Sequence, residues 1–433
     1  MLNVTRLLCG CATPGDALRY GTNGQNVRDG GPAAADGATP DASGRRPVVV
    51  WNCTRRCNLK CLHCYSESDG RPAPDELSTA EARTMLADLA RFGVPVVLFS
   101  GGEPLLRPDV LDLARAARDL GLRAVLSTNG TLITEDMARR IAAAGVAYVG
   151  ISLDGLGEVN DRFRGSPGAF DLALAAFRHL RQVGQRVGLR LTLTRRTAAD
   201  LEGVFDLLEA EDIDRACFYH LVYAGRGSSL VAEDLTYAEK RRAVDLVFRR
   251  TTDFCDRGMT KDILTVDNHA DGAYLYLHLA ARDAAPGTGP DGRADQVRRL
   301  LAWNGGARFS TGVGLGCIGP GGDVHPDQFW RHYTLGNVRR RPFSDIWSDT
   351  QEPLLAALRD RLPRLKGRCR LCRHRELCGG SSRVRAEAVF GDPWAPEPAC
   401  YLTYEEIGLT PERRADLAAR GESYPVPSSL AGG

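Results

Sequence analysis

Between residues 47 and 224 the chain alternates six times between a short β-rich run and an amphipathic stretch. The β-rich runs cover 48–51, 96–99, 124–126, 148–152, 188–193 and 217–222; the stretches between them cover 79–91, 110–120, 135–144, 169–183 and 199–209. Strands that alternate with helices build a parallel sheet, because a parallel neighbour is reached only through a crossover. Six units fall short of the eight of a closed barrel, so the expected fold is α/β with a partial (β/α)6 barrel. A further helical stretch over 237–256 ends this part.

The residues after each run narrow the reading. The first run leads into CTRRCNLKCLHCY, the second into SGGEP, the third into STNG and the fourth into SLDG. Turns contain Gly, Asn and Asp in any protein. Four consecutive strand ends with specialised loops, however, fall on the face where barrel enzymes build their sites.

Thirteen cysteines, at 9, 11, 53, 57, 61, 64, 217, 255, 317, 369, 372, 378 and 400, bunch rather than spread. The first residues, MLNVTRLLCGCATPGD, lack a basic start followed by an apolar segment, so a reducing cytoplasm is the expected setting. Bunched thiols in that setting read as metal ligands or redox groups. The formal charge of +2 supplies no global field for nucleic acid or an anionic membrane, and no apolar run is long enough to span a bilayer.

Two cysteine sets carry the chemistry. Cys57, Cys61 and Cys64 form C-x3-C-x2-C, three soft ligands that can hold a [4Fe–4S] cluster with one iron position left open. The same spacing admits a structural zinc ion completed by His63 or Cys53. Cys369, Cys372 and Cys378, with Cys400 further on, can close a cluster completely or hold zinc in a knuckle. Cys217 and Cys255 read as small buried apolar residues, and Cys9 and Cys11 have no evident role. His220, His269, His325 and His332 stay open between core packing and substrate contact.

C-x3-C-x2-C after the first strand, GGEP after the second, and STNG and SLDG after the next two together resemble the radical S-adenosylmethionine (SAM) superfamily. That resemblance implies a [4Fe–4S] cluster on Cys57, Cys61 and Cys64, with SAM on the open iron and a 5′-deoxyadenosyl radical formed by its reductive cleavage. It places His63 beside the adenine. Gly101, Gly102, Glu103 and Pro104 fall at the methionine amino group, and Ser127, Asn129 and Ser152 at the ribose and carboxylate. Arg164 is expected to pair with the SAM carboxylate. A low-potential donor such as flavodoxin or ferredoxin is implied as electron source.

The later cysteines resemble the SPASM/twitch extension, whose full pattern holds two auxiliary clusters. Here two of that pattern's cysteines are replaced by Asp327 and Ser382. The resemblance therefore implies one auxiliary [4Fe–4S] cluster, on Cys369, Cys372, Cys378 and Cys400, with Cys317 left over from the lost site. The expected divisions are an N-terminal extension and flexible linker over 1–46, the barrel over 47–235 and a helical connector over 236–299. The cysteine-rich domain over 300–406 and a fraying tail over 407–433 complete them.

DNHADGAYL, HLVYAGRG, GDVHPDQFWRHYTLGNVRRRPFSDIW and RVRAEAVFGDPWAPEPACYL further resemble the NirJ family of haem d1 biosynthesis. This implies a tetrapyrrole substrate, didecarboxysirohaem, that loses propionate side chains. The related AhbD family, which converts iron-coproporphyrin to haem b, is the alternative, and a SPASM maturase acting on a ribosomal peptide is another. A polycarboxylate substrate needs cationic anchors. Arg226 is expected to be the first of them, with Tyr223 and His220 at the same strand end.

Overall fold

The computed structural model describes residues 1–13, 46–284, 292–304, 306 and 310–432. Most of the expected N-terminal extension and linker over 1–46, and part of the expected connector over 236–299, lie outside the described residues. The chain divides into two compact units. One comprises Arg46–Asp234 and Thr311–Arg359, the other Met1–Arg45, Leu235–Ser310 and Asp360–Gly433.

The described strands are β1 (Leu2–Asn3), β2 (Val48–Thr54), β3 (Val96–Gly101), β4 (Arg123–Thr128), β5 (Tyr148–Ser152), β6 (Val187–Leu193), β7 (Arg215–His220), β8 (Asp262–Val266), β9 (Leu315–Ile318), β10 (Asp323–His325) and β11 (Gly336–Asn337). In the first unit β2 to β7 pair in parallel, each with its neighbour in sequence. On the far side of β2 lies β9, also parallel, followed by antiparallel β10 and β11. The sheet is mixed and its strand order is linear, so it does not close. Pairing of β9 with β2 is also why the expected 300–406 stretch is shared: its first half completes the barrel's sheet, and its second half belongs to the other unit.

Helices fill the crossovers as the periodicity predicts. Thr79–Phe92 buries Ala82, Met85, Leu86 and Leu89, the i, i+3, i+4, i+7 stripe of an amphipathic helix. Its start is fixed by a capping box between Ser78 and Glu81, and Gly93, at φ +83°, ends it in the left-handed region. Burying Leu86 and Leu89 completely stabilises the unit by roughly 2 kcal/mol each.

In the second unit, β1 pairs antiparallel with β8, and a single turn over Thr5–Cys9 follows. Val4 and Leu7 are almost fully buried, so the first residues are packed rather than a loose extension. The expected fraying tail is likewise anchored. Pro411–Ala419 is helical, Leu417 and Leu430 are buried, and Glu422 pairs with Arg370.

Candidate active site and the second cysteine centre

Strand β2 delivers Cys57, Cys61 and Cys64 on a loop held by backbone hydrogen bonds. Cys57 N–H donates to Asp69 O at 2.7 Å, and Leu62 N–H donates to Phe163 O at 3.0 Å. Cys61 is buried; Cys57 and Cys64 are half-buried. Burial pushes the Cys57 thiol up to about 12, and the neighbouring Glu103, Cys61 and Cys64 push the same way. Burial also raises Cys61, with Cys64 adding and Arg164 opposing. Cys57 and Cys61 thus resist ionisation, a cost that a metal centre would relieve. The charged neighbours of Cys53 are Arg107, Glu76, Glu103 and Asp109. Those of His63 are Asp154, Arg164 and Arg226.

The GGEP loop docks onto that cysteine loop. Gly102 N–H donates to Thr54 O at 2.7 Å and Glu103 N–H to Arg56 O at 2.8 Å. A Cβ on Gly102 would stand 2.1 Å from Arg56 O, and one on Gly101, at φ +126°, 2.4 Å from Thr54 O. Both glycines are therefore demanded by backbone approach between two loops of the protein. Glu103 is fully buried and braces the next loop. Its carboxylate accepts from Thr128 Oγ1 at 2.8 Å, Asn129 N–H at 2.8 Å and Leu105 N–H at 3.1 Å. Burial nonetheless pushes it up to about 7, because desolvation outweighs those donors. Pro104 opens a short 3-10 turn over Pro104–Leu106.

At the third strand end the Asn129 side chain is engaged inside the protein. Its Nδ2 donates to Asn58 Oδ1 at 2.9 Å, and its Oδ1 accepts from Thr131 N–H at 2.9 Å. Ser127 Oγ accepts from Arg190 Nη1 at 2.5 Å. Ser152, half-buried, ends β5 opposite Arg190 in the parallel register. Arg190 is the residue that sequence reasoning missed. It passes across Gly150, where a Cβ would meet its Nε at 2.2 Å, and that Nε is buried without a hydrogen-bond partner. Its sequence signal was weak, since GLRLTL reads as an alternating strand.

His63 stacks on Phe163, with ring centroids 4.6 Å apart. Burial pulls its imidazole down to about 4, so it is neutral and its 3.6 Å approach to Asp154 is not an ion pair. Arg164 holds that carboxylate instead, at 2.5 Å, while its Nη1 donates to Cys61 Sγ at 3.7 Å. Arg164 therefore braces the cysteine loop rather than presenting an unpaired charge.

The expected substrate group makes contacts inside the protein. Arg226 Nε donates to Cys61 O at 2.8 Å and Nη1 to Ser68 O at 3.0 Å, so this guanidinium clamps the cysteine loop. Tyr223 is buried and donates to Asp234 Oδ2 at 2.6 Å, and His220 is buried. His325 is buried too and meets Tyr333 O at 2.9 Å. Arg226 is half-buried, and its Nη2 has no hydrogen-bond partner.

The second centre lies wholly in the other unit. Cys369, Cys372, Cys378 and Cys400 line one cavity together with Arg368, Arg375 and Glu397. Burial pushes Cys372 up to about 11 and Cys400 up to about 12, and the thiols add to one another's shift. Arg368 opposes that shift at both. Four thiols with nearby cations suit a closed anionic cluster. The two replaced cysteines have other work. Asp327 accepts from Thr311 Oγ1, Phe329 N–H and Trp330 N–H, and Ser382 caps the Arg383–Phe390 helix. Cys317 is fully buried on β9, where Asn52 Nδ2 lies 3.5 Å from its sulfur.

The chain is similar to several known proteins. The Radical SAM superfamily matches residues 51–208. Fe-coproporphyrin III synthase of Methanosarcina barkeri is 50% identical over 411 residues, covering 94% of this chain and 99% of that protein. Pre-heme d1 synthase of Dinoroseobacter shibae is 46% identical over 365 residues, covering 84% and 88%. The crystal structure of Streptococcus suis SuiB bound to S-adenosylmethionine shares the fold, with a TM-score of 0.61 at 20% identity over 80% of this chain and 75% of SuiB. Among the described residues no helix is long and apolar enough to cross a membrane.

Proposed function

Because this chain belongs to the radical SAM superfamily, an enzyme family built on a [4Fe–4S] cluster and SAM, we propose that it modifies the side chains of an iron tetrapyrrole. Cys57, Cys61 and Cys64 would hold the cluster, and the observation that carries this reading is that these three thiols stand on one loop against which the GGEP turn is packed. The bound pair supplies a carbon radical that abstracts hydrogen from substrate. The protein's part is to hold the cysteine loop still, through Gly102, Glu103, Arg164 and Arg226, and to offer cations to carboxylates. Arg190 and Arg226, each with one buried guanidinium nitrogen that meets no protein acceptor, are the carboxylate anchors this reading favours. One auxiliary [4Fe–4S] cluster would sit on Cys369, Cys372, Cys378 and Cys400. A low-potential donor of the flavodoxin or ferredoxin type would reduce them.

The substrate we favour is didecarboxysirohaem, losing propionate side chains, in keeping with 46% identity to a pre-heme d1 synthase. The 50% identity to a Fe-coproporphyrin III synthase favours a second outcome, in which Fe-coproporphyrin III is the product. A synthase of that compound releases it, whereas the haem b alternative consumes it. Anaerobic incubation with SAM, a low-potential reductant and didecarboxysirohaem, read by mass spectrometry, separates these outcomes. Loss of propionate mass supports the first reading, and a product identical to Fe-coproporphyrin III supports the second. If neither forms while iron-coproporphyrin loses two carboxyl groups, the haem b chemistry replaces both.

A further inference from the structure

Three cysteines that belong to neither centre meet in the second unit. Cys9 and Cys11 flank the end of the N-terminal turn, and Cys255 lies in the last turn of the Tyr237–Asp256 helix. Cys11 Sγ and Cys255 Sγ are 3.5 Å apart, although 244 residues separate them in sequence. Cys9 also bonds toward Cys255, and its sulfur lies 3.9 Å from Thr251 O on the same helix. All three are half-buried, so small molecules reach them from solvent.

The approach is too specific to be incidental packing. The turn over Thr5–Cys9 is locked from both sides. Thr5 Oγ1 donates to Lys261 O at 2.7 Å, and Arg293 Nε donates to Leu7 O at 3.1 Å. Gly10, at φ +81°, bends the chain so that Cys11 turns back toward the helix; a Cβ there would press on Arg293 at 3.1 Å. Two sulfurs in contact, one on the N-terminal segment and one on the helix, make a dithiol pair. Rotation about side-chain torsions closes ~1.5 Å of sulfur separation to a bonded pair near 2.05 Å.

We propose that Cys11 and Cys255 are a thiol–disulfide site that closes on exposure to a small-molecule disulfide and staples the N-terminal segment to the Tyr237–Asp256 helix. Cys11 attacks one sulfur of the incoming disulfide, forming a mixed disulfide and releasing one thiol. Cys255 then attacks Cys11 and releases the second thiol. Two electrons pass from the protein to the small disulfide, and both protein thiol protons leave on the two released thiols. Burial raises the Cys9 and Cys255 thiols, so closure is slow at neutral pH and faster in mild alkali.

The test uses cluster-loaded protein under anaerobic conditions with glutathione disulfide as the probe. After thiol blocking and tryptic digestion, the peptide carrying Cys9 and Cys11 is expected to be crosslinked to the one carrying Cys255. Cys11→Ser should lose the crosslink, Cys9→Ser should keep it, and iron content should equal wild type in both. Absence of the crosslink in wild type, with all three thiols still titratable, would overturn the proposal. So would its persistence in Cys11→Ser, which would give the pair to Cys9, or loss of bound metal in Cys255→Ser, which would make the trio a metal site.

Discussion

Arg226 shows how a single side chain changes meaning once its partners are known. In the sequence it stands in an AGRG turn after a strand, where a cation for a carboxylated substrate is expected. In the structure both of its bonds go to carbonyls of the cysteine loop, more than 150 residues away. No local pattern announces such a pairing, and the same is true of Arg190 with Ser127 and Asn129 with Asn58. Replacing Arg226 by Ala removes two charge-assisted bonds, on the order of 3 kcal/mol of loop stability. Arg226→Ala should therefore abolish 5′-deoxyadenosine formation and lower iron in the first centre, measured by chromatography and iron assay. Retained SAM cleavage with weakened tetrapyrrole binding would leave Arg226 to the substrate alone.

Glu103 supplies the pH dependence. Its carboxyl lies above its ordinary value of 4.5, at about 7. The folded protein therefore holds a proton there that the unfolded chain has lost, and this contribution to stability falls as pH rises from 4.5 to about 7. Glu103→Gln, neutral at every pH, should flatten that fall in stability, read by denaturant unfolding between about pH 5 and 7.

At the scale of elements the sequence was far more legible. The strand over Tyr148–Ser152 and the helix over Tyr237–Asp256 fall where periodicity places them, since burial of one stripe is a local pattern. The loop motifs were legible too, although the reason for GG was not: those glycines answer the approach of Thr54–Arg56. Gly102→Ala should displace the cysteine loop and cost the first centre its iron, while absorbance from the second centre persists. The β9 strand was missed because four residues pairing with β2 across a gap of more than 250 positions leave no periodic signal. Its Cys317 touches neither thiol group. Cys317→Ala should leave iron content unchanged and lower stability by about 1 kcal/mol through lost packing, read by denaturant unfolding. Loss of a cluster signal in that variant would mean Cys317 is a ligand.

Over the whole molecule, two cysteine centres occupy two compact units, one with three thiols and one with four. Asp327 and Ser382 hold a loop and cap a helix where further thiols would be needed for a third centre. The N-terminal residues, which carried no readable motif, are tied to the second unit by β1 and by the Cys11–Cys255 contact. Iron and 5′-deoxyadenosine measured together in Cys57/Cys61/Cys64→Ala, against wild type, test the two-centre account most directly. The expected values are about eight irons per chain in wild type and about four in the variant, with no 5′-deoxyadenosine formed by the latter. About twelve irons in wild type, or SAM cleavage surviving in the variant, would contradict it.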